Sequence, residues 1–178
     1  MKKSATLQLV LAAMFTALGI LLPVILHPFG ISGSVFLPMH IPVLLCGFIL
    51  GSRYGALVGL VVPLLSSAFT GMPPLWPVAV SMALELAAYG FFTGFLSKKT
   101  NTIISLIGAM LAGRVVMGIA NLILLGISGK TYALSAFLSG AFITALPGII
   151  IQLILIPAVL YGLRRANAIE GLSNNESL

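Results

Sequence analysis

The chain has 178 residues, 60% hydrophobic and 7% charged, with a mean hydropathy of +1.19. Soluble domains carry about 25% charged residues, and a fold of this size has too little interior to hide so much apolar surface, so the chain belongs in a bilayer. That excludes a soluble enzyme, a nucleic-acid module and a disordered tail. The net charge of +6 is no nucleic-acid signal, because the basic residues stand singly or in pairs between apolar runs. The single cysteine, Cys46, offers neither a disulfide framework nor a thiolate metal site and reads as packing.

A span needs about 20 apolar residues. Six candidates follow in order: Ala5 to Leu26, Leu37 to Leu50, Tyr54 to Phe69, Pro77 to Leu96, Thr102 to Gly126 and Ala136 to Leu163. The second and third are short, so a reading with fewer spans and a broken hairpin over 37–69 competes. Charge decides between them. With six spans and both termini cytoplasmic, the inner segments hold Lys2, Lys3, Arg53, Lys98, Lys99, Arg164 and Arg165, and the outer loops hold only Lys130. Merging the second and third spans would move Lys98 and Lys99 outward and spoil this positive-inside bias. The expected fold is an all-α membrane protein of six transmembrane helices, one domain over 1–166 with a short polar cytoplasmic tail over 167–178. The first span follows Lys2 and Lys3 like a signal peptide, but its apolar run is longer than a signal core and lacks a clean cleavage site, so it reads as a retained helix.

Two outer loops are unusual. HPFGISGSV over 27–35 is rich in Gly, Ser and Pro, and TGMPPLWP over 70–77 holds three prolines and Trp76. The second loop is expected to be stiff and non-helical. Trp76 fits both an interfacial anchor and a lid over a pocket. Small residues recur at helical contact spacing: Ala13/Ala17, Gly47/Gly51, Gly55/Gly59 and Gly90/Gly94. Such faces allow helices to approach closely.

The informative residues are those that cost most to bury. A charge at mid-bilayer costs about 2.5–3.5 kcal/mol even on the lenient insertion scale. Two occur, Glu85 in the fourth span and Arg114 in the fifth, with Gln152 in the sixth as a milder case. At a rise of about 1.5 Å per residue, Glu85 lies roughly 16 Å, Arg114 roughly 18 Å and Gln152 roughly 16 Å from the inner ends of their spans. Asn121 is two turns beyond Arg114 on the same face, about 10 Å nearer the outside. Ser81 and Tyr89 stand at i−4 and i+4 from Glu85 and share its face. The pattern is a polar stripe that opens outward and ends near mid-membrane. It fits a Glu85–Arg114 pair that locks two helices, a solute pocket, or both. His40, at the start of the second span, fits an interfacial residue or a ligand contact. The sequence has no nucleotide loop, no HExxH, no Ser/His/Asp set and no paired carboxylates, and metal chemistry is not expected.

Three segments carry a resemblance: AAMFTALG at 12–19, PMHIPVLLCGFILGSRYGALVGLVVPLLSS at 38–67 and MALELAAYG at 82–90. With the six-span layout, they resemble the S components, the substrate-binding membrane subunits of energy-coupling factor (ECF) vitamin transporters. The resemblance covers nearly the whole chain. It implies that Ala13 and Ala17 form the helix-one docking motif for a transmembrane T subunit, and that two cytoplasmic ATPases supply the power. It implies no cofactor in this chain, ATP being used by the partners, and a multi-pass location in the bacterial cytoplasmic membrane. The ligand site is then expected toward the outer face, from the fourth to sixth helices and the loops that carry Trp76 and residues 27–35. Its residues are Glu85, Arg114, Asn121, Trp76, Tyr89, Gln152, Ser81 and His40. The resemblance does not fix the vitamin; the neutral Glu85–Arg114 pair with Trp76 and Tyr89 suits a pyridoxine- or hydroxymethylpyrimidine-like alcohol, Arg114 with Asn121 and Gln152 suits pantothenate, and other ligands stay open. Outside the family, a ligand-free membrane scaffold and a small proton-coupled exporter using Glu85 are the alternatives.

Overall fold

The computed structural model describes residues 5–30, 33–127 and 137–166. Helix α1 runs over Ala5–Leu26, α2 is a single turn over Gly33–Phe36, α3 covers His40–Leu50, α4 Ser52–Thr70, α5 Val80–Leu96, α6 Thr102–Ile127 and α7 Leu146–Arg165. Six stretches are long and apolar enough to cross a bilayer: Ala5–Phe29, Gly33–Leu50, Ser52–Thr70, Leu75–Leu96, Thr102–Ile127 and Leu146–Arg165. The protein is therefore an all-α, six-span membrane protein.

The local sequence explains where the helices break. The second span was expected to begin at Leu37; it begins at Gly33 and reaches 18 residues by adding α2 before a bend. Leu37 precedes Pro38, a position from which the α conformation is sterically disfavoured, and it takes φ 50° instead. The buried amide of Gln152 donates to the Leu37 carbonyl at 3.4 Å across from α7. Gly148 leaves room for the backbone of Val35 and Phe36, so α2 lies directly on α7. One residue, Gly51 at φ 88°, separates α3 from α4. The fourth span begins with a wide helical turn over Leu75–Ala79, kinked at Trp76. The sixth span is not one continuous helix within the described residues. A wide turn over Ser139–Thr144 precedes α7, whose first turn contains Pro147, a residue pre-organised for a helix start. Ala136, Lys2, Lys3, Lys130 and the tail over 167–178 lie outside the described residues.

Helix α5 is central, packed against α3, α4 and α6, while α7 meets α2, α3 and α6. Helix α1 leans on α3 and α4 from outside; 17% of its span is buried, against 56% for Gly33–Leu50. Its remaining apolar side chains are the surface a bilayer solvates. One face of α3 (Val43, Cys46) packs with Phe15, Val58, Val62 and Leu86. The other (Leu44, Phe48) packs with Tyr89, Leu106, Met110, Ile156 and Leu160. Cys46 is fully buried in the first cluster.

The glycines of α4 and α5 set the distance between these helices. A Cβ on Gly90 would run into the carbonyl of Gly55. Gly90→Ala is expected to destabilise the protein by about 2–3 kcal/mol through overpacking. Gly162→Ala, where an added Cβ meets nothing within 4 Å, serves as the neutral control in the same thermal unfolding series.

Candidate functional site

The helices separate at the end of the bundle that carries the α1–α2 and α4–α5 connections, leaving a cavity of about 1250 Å³. This exceeds the ~300–1000 Å³ of common small-molecule sites. The α3–α4 and α5–α6 junctions, with Arg53, Lys98 and Lys99, and the α7 terminus, with Arg164 and Arg165, lie at the opposite end.

The cavity wall is mostly apolar. Four of the seven methionines, Met39, Met72, Met82 and Met117, face it, giving a flexible, polarisable surface. Its polar groups include His40 from α3, Ser66 and Thr70 from α4, Glu85 from α5, and Arg114 and Asn121 from α6.

At its deepest level stands an ion pair. Arg114 donates from Nη1 to Glu85 Oε1 at 2.7 Å, and both side chains are buried. The pair joins α5 to α6, as the need to compensate a buried charge requires. The distance is typical of a charge-assisted bond. Nη1 also approaches the Met117 sulfur at 3.7 Å. His40 Nε2 lies 3.8 Å from Glu85 Oε2, too far for a hydrogen bond, and its ring meets Tyr89 edge-on at 5.4 Å between centroids. Tyr89 is buried beside Glu85 and Arg114 and lies across Gly113, where a Cβ would strike its ring.

Several buried atoms of this cluster make no hydrogen bond: Arg114 Nε and Nη2, and both ring nitrogens of His40. Buried polar groups are nearly always paired; these atoms have almost no accessible surface and lie within the wall of the cavity, not on its face. Among the described residues no group of three or more His, Cys, Asp or Glu side chains is arranged to hold a metal ion.

The other expected site residues divide. Glu85, Arg114, Asn121 and His40 share the cavity wall. Tyr89 and Ser81 are buried behind it, and the Ser81 hydroxyl donates to the Val78 carbonyl at 3.0 Å, in the wide turn just before α5. Gln152 is buried on α7 and holds Leu37 instead of facing the cavity. Trp76 is half-exposed, between the wall residues Pro74 and Val78. Ala13 and Ala17 are exposed on α1 and line a shallow groove between α1 and α4, with Leu9, Thr16, Ile20 and Tyr54.

Sequence reasoning missed Ser66, Thr70, Met82 and Met117. Met82 and Met117 stand three residues from Glu85 and Arg114, so helical spacing carried a signal for both. The Ser66 hydroxyl donates to the Met72 carbonyl at 2.8 Å, and the Thr70 hydroxyl donates to the Ser66 carbonyl at 2.7 Å while its oxygen accepts from the Met72 N–H at 3.2 Å. They fasten the proline-rich loop to the end of α4.

Fold and site together define a polytopic membrane protein with an open cavity over a buried ion pair. Residues 7–160 match the family described as "ECF transporter, substrate-specific component", and the chain belongs to that family. It is an S component, the substrate-specific subunit of an ECF importer. No curated protein and no solved structure matches the chain.

Proposed function

We propose that this S component takes up a small water-soluble vitamin from outside the cell and delivers it through a T subunit powered by two cytoplasmic ATPases, with no cofactor of its own. In this reading both termini are cytoplasmic and the protein resides in the bacterial cytoplasmic membrane. The cavity end then faces outward, and Arg53, Lys98, Lys99, Arg164 and Arg165 lie on the cytoplasmic side, in keeping with positive-inside orientation.

The observation that carries the reading is the cavity itself, whose mostly apolar wall holds His40, Glu85, Arg114 and Asn121. A scaffold needs the Glu85–Arg114 pair but has no use for the cavity above it. A proton-coupled exporter needs a carboxylate that can release its partner. Here Glu85 is tied to Arg114 and is the one acidic residue in any of the six spans. The candidate ligands are a pyridoxine- or hydroxymethylpyrimidine-like alcohol and pantothenate, and the cavity admits either by size.

Mass spectrometry of small molecules that copurify with the protein tests this reading directly. Titration with the compound so identified is expected to shift the emission of Trp76, the one tryptophan of the chain, to shorter wavelength as its loop closes over the ligand. Unchanged emission at saturation would reduce Trp76 to an interfacial anchor. Protein that carries no small molecule, and that no vitamin protects against heat, would favour the scaffold.

A further inference from the structure

We infer that the solute taken by this cavity is an uncharged molecule with an apolar body, and that the closed Glu85–Arg114 pair discriminates against ions. The inference rests on the solute-binding reading above and names the class of its ligand.

The wall gives the first argument. Met39 before α3, Met72 in the α4–α5 connection, Met82 on α5 and Met117 on α6 bring thioethers to the cavity from four places in the fold. Five prolines, Pro38, Pro73 and Pro74 among them, add backbone that has no N–H to offer. Thioethers are polarisable and accept hydrogen bonds only weakly, so they pack well on aliphatic and aromatic bodies and solvate an ion poorly.

Charge gives the second. Among the described residues, the wall's Asp, Glu, Lys and Arg side chains are Glu85 and Arg114 alone, and these neutralise each other at 2.7 Å. Glu85 is 1% exposed and Arg114 5%. Arg114 Nε and Nη2 have almost no accessible surface. An ion that reaches this depth leaves water for an apolar surround and meets no uncommitted counter-charge. Burying an ion costs far more than burying a neutral polar group unless a partner compensates it. An anion is repelled by Glu85 and a cation by Arg114, so the pair favours neither sign. An uncharged molecule escapes this cost, and the Asn121 amide in the wall, roughly 10 Å from Arg114 along α6, can both donate to it and accept from it. Of the two candidate classes, the pyridoxine- or hydroxymethylpyrimidine-like alcohol meets these conditions and the carboxylate of pantothenate does not.

Matched pairs that differ in charge decide the matter, titrated against the full chain in lipid nanodiscs: pantothenol with pantothenate, nicotinamide with nicotinate, lipoamide with lipoate, pyridoxine with pyridoxine phosphate. Histidine is the side chain that titrates near neutrality and His27 and His40 line the wall, so the panel is run at pH 6 and at pH 8. In every pair of which a member binds, the uncharged member is expected to bind roughly tenfold more tightly or better at both values. Glu85→Gln leaves the field of Arg114 uncancelled, and in the folded variant that lead is expected to narrow or reverse. An unchanged lead there would overturn the role given to the pair; where the variant does not fold, the unaltered protein decides. An ion that binds at least as tightly as its uncharged partner, at either pH, would overturn the inference and leave solute capture standing. A copurifying molecule outside the panel decides by its own charge: an ion overturns the inference and an uncharged compound upholds it. Folded protein that binds no panel member and carries no small molecule would remove the capture reading and the inference together.

Discussion

Glu85→Gln is expected to destabilise the folded protein by about 3–5 kcal/mol, the cost of stranding a buried cation. Arg114 is held at 2.7 Å by Glu85 and lies almost entirely out of contact with water. Arginine side chains keep their charge at accessible pH. Glutamine preserves the shape of Glu85 but not its charge, so the loss reports the ion pair and not a cavity. Arg114→Gln strands the carboxylate in turn. The double substitution is expected to lose less than the two single losses combined, because it leaves no unpaired charge. Thermal unfolding of the four proteins gives the coupling energy, and ligand titration of the same four adds the functional half. Both single variants are expected to weaken binding strongly, and Asn121→Ala and Gln152→Ala less so. Lost stability with unaltered affinity would make the pair a helix lock and nothing more.

Ala13→Trp is expected to abolish ATP-dependent uptake in vesicles that contain the T subunit and both ATPases, and to leave ligand binding by the isolated protein unchanged. The reason is geometric. Ala13 and Ala17 are exposed on the outer side of α1, whereas the adjacent Ala12 is buried with Phe15, Val58 and Val62. A tryptophan at 13 projects from the folded protein into the shallow groove beside α4 and excludes a helix that would pack there. Ala12→Trp is the informative contrast: it overpacks the apolar cluster and is expected to lower both melting temperature and binding. Equal loss of binding in the two variants would assign the small face of α1 to the internal fold. Normal uptake by Ala13→Trp would put the partner elsewhere.

The spans were legible because a bilayer imposes a length and an apolar composition on every segment that crosses it. Helix α1 runs over the expected residues, and α4, α5 and α6 begin and end within a few residues of expectation. The breaks were less legible. The short second span is completed by α2 across the turn at Leu37, and the sixth is divided before Leu146. Both breaks sit beside prolines, Pro38 and Pro147, whose preference for a turn or a helix start was hidden inside apolar runs.

What the sequence by itself determined is height. Counting residues along a helix puts Glu85, Arg114 and Gln152 at one depth, and the cost of an uncompensated charge there required the first two to meet. What only the tertiary structure decided is direction about each helix axis. Gln152 shares their depth but faces Leu37, Ser81 shares a face with Glu85 but bonds back to the turn before α5, and Tyr89 lies across Gly113 behind the cavity. His40 joins the ion pair because the bend at Leu37 and the contact of α2 with Gly148 bring the start of α3 beside α5. Rise per residue is a property of the backbone and can be counted. The rotation of one helix against its neighbours is fixed by which small residues let backbones approach, and that is settled only when all the helices pack at once.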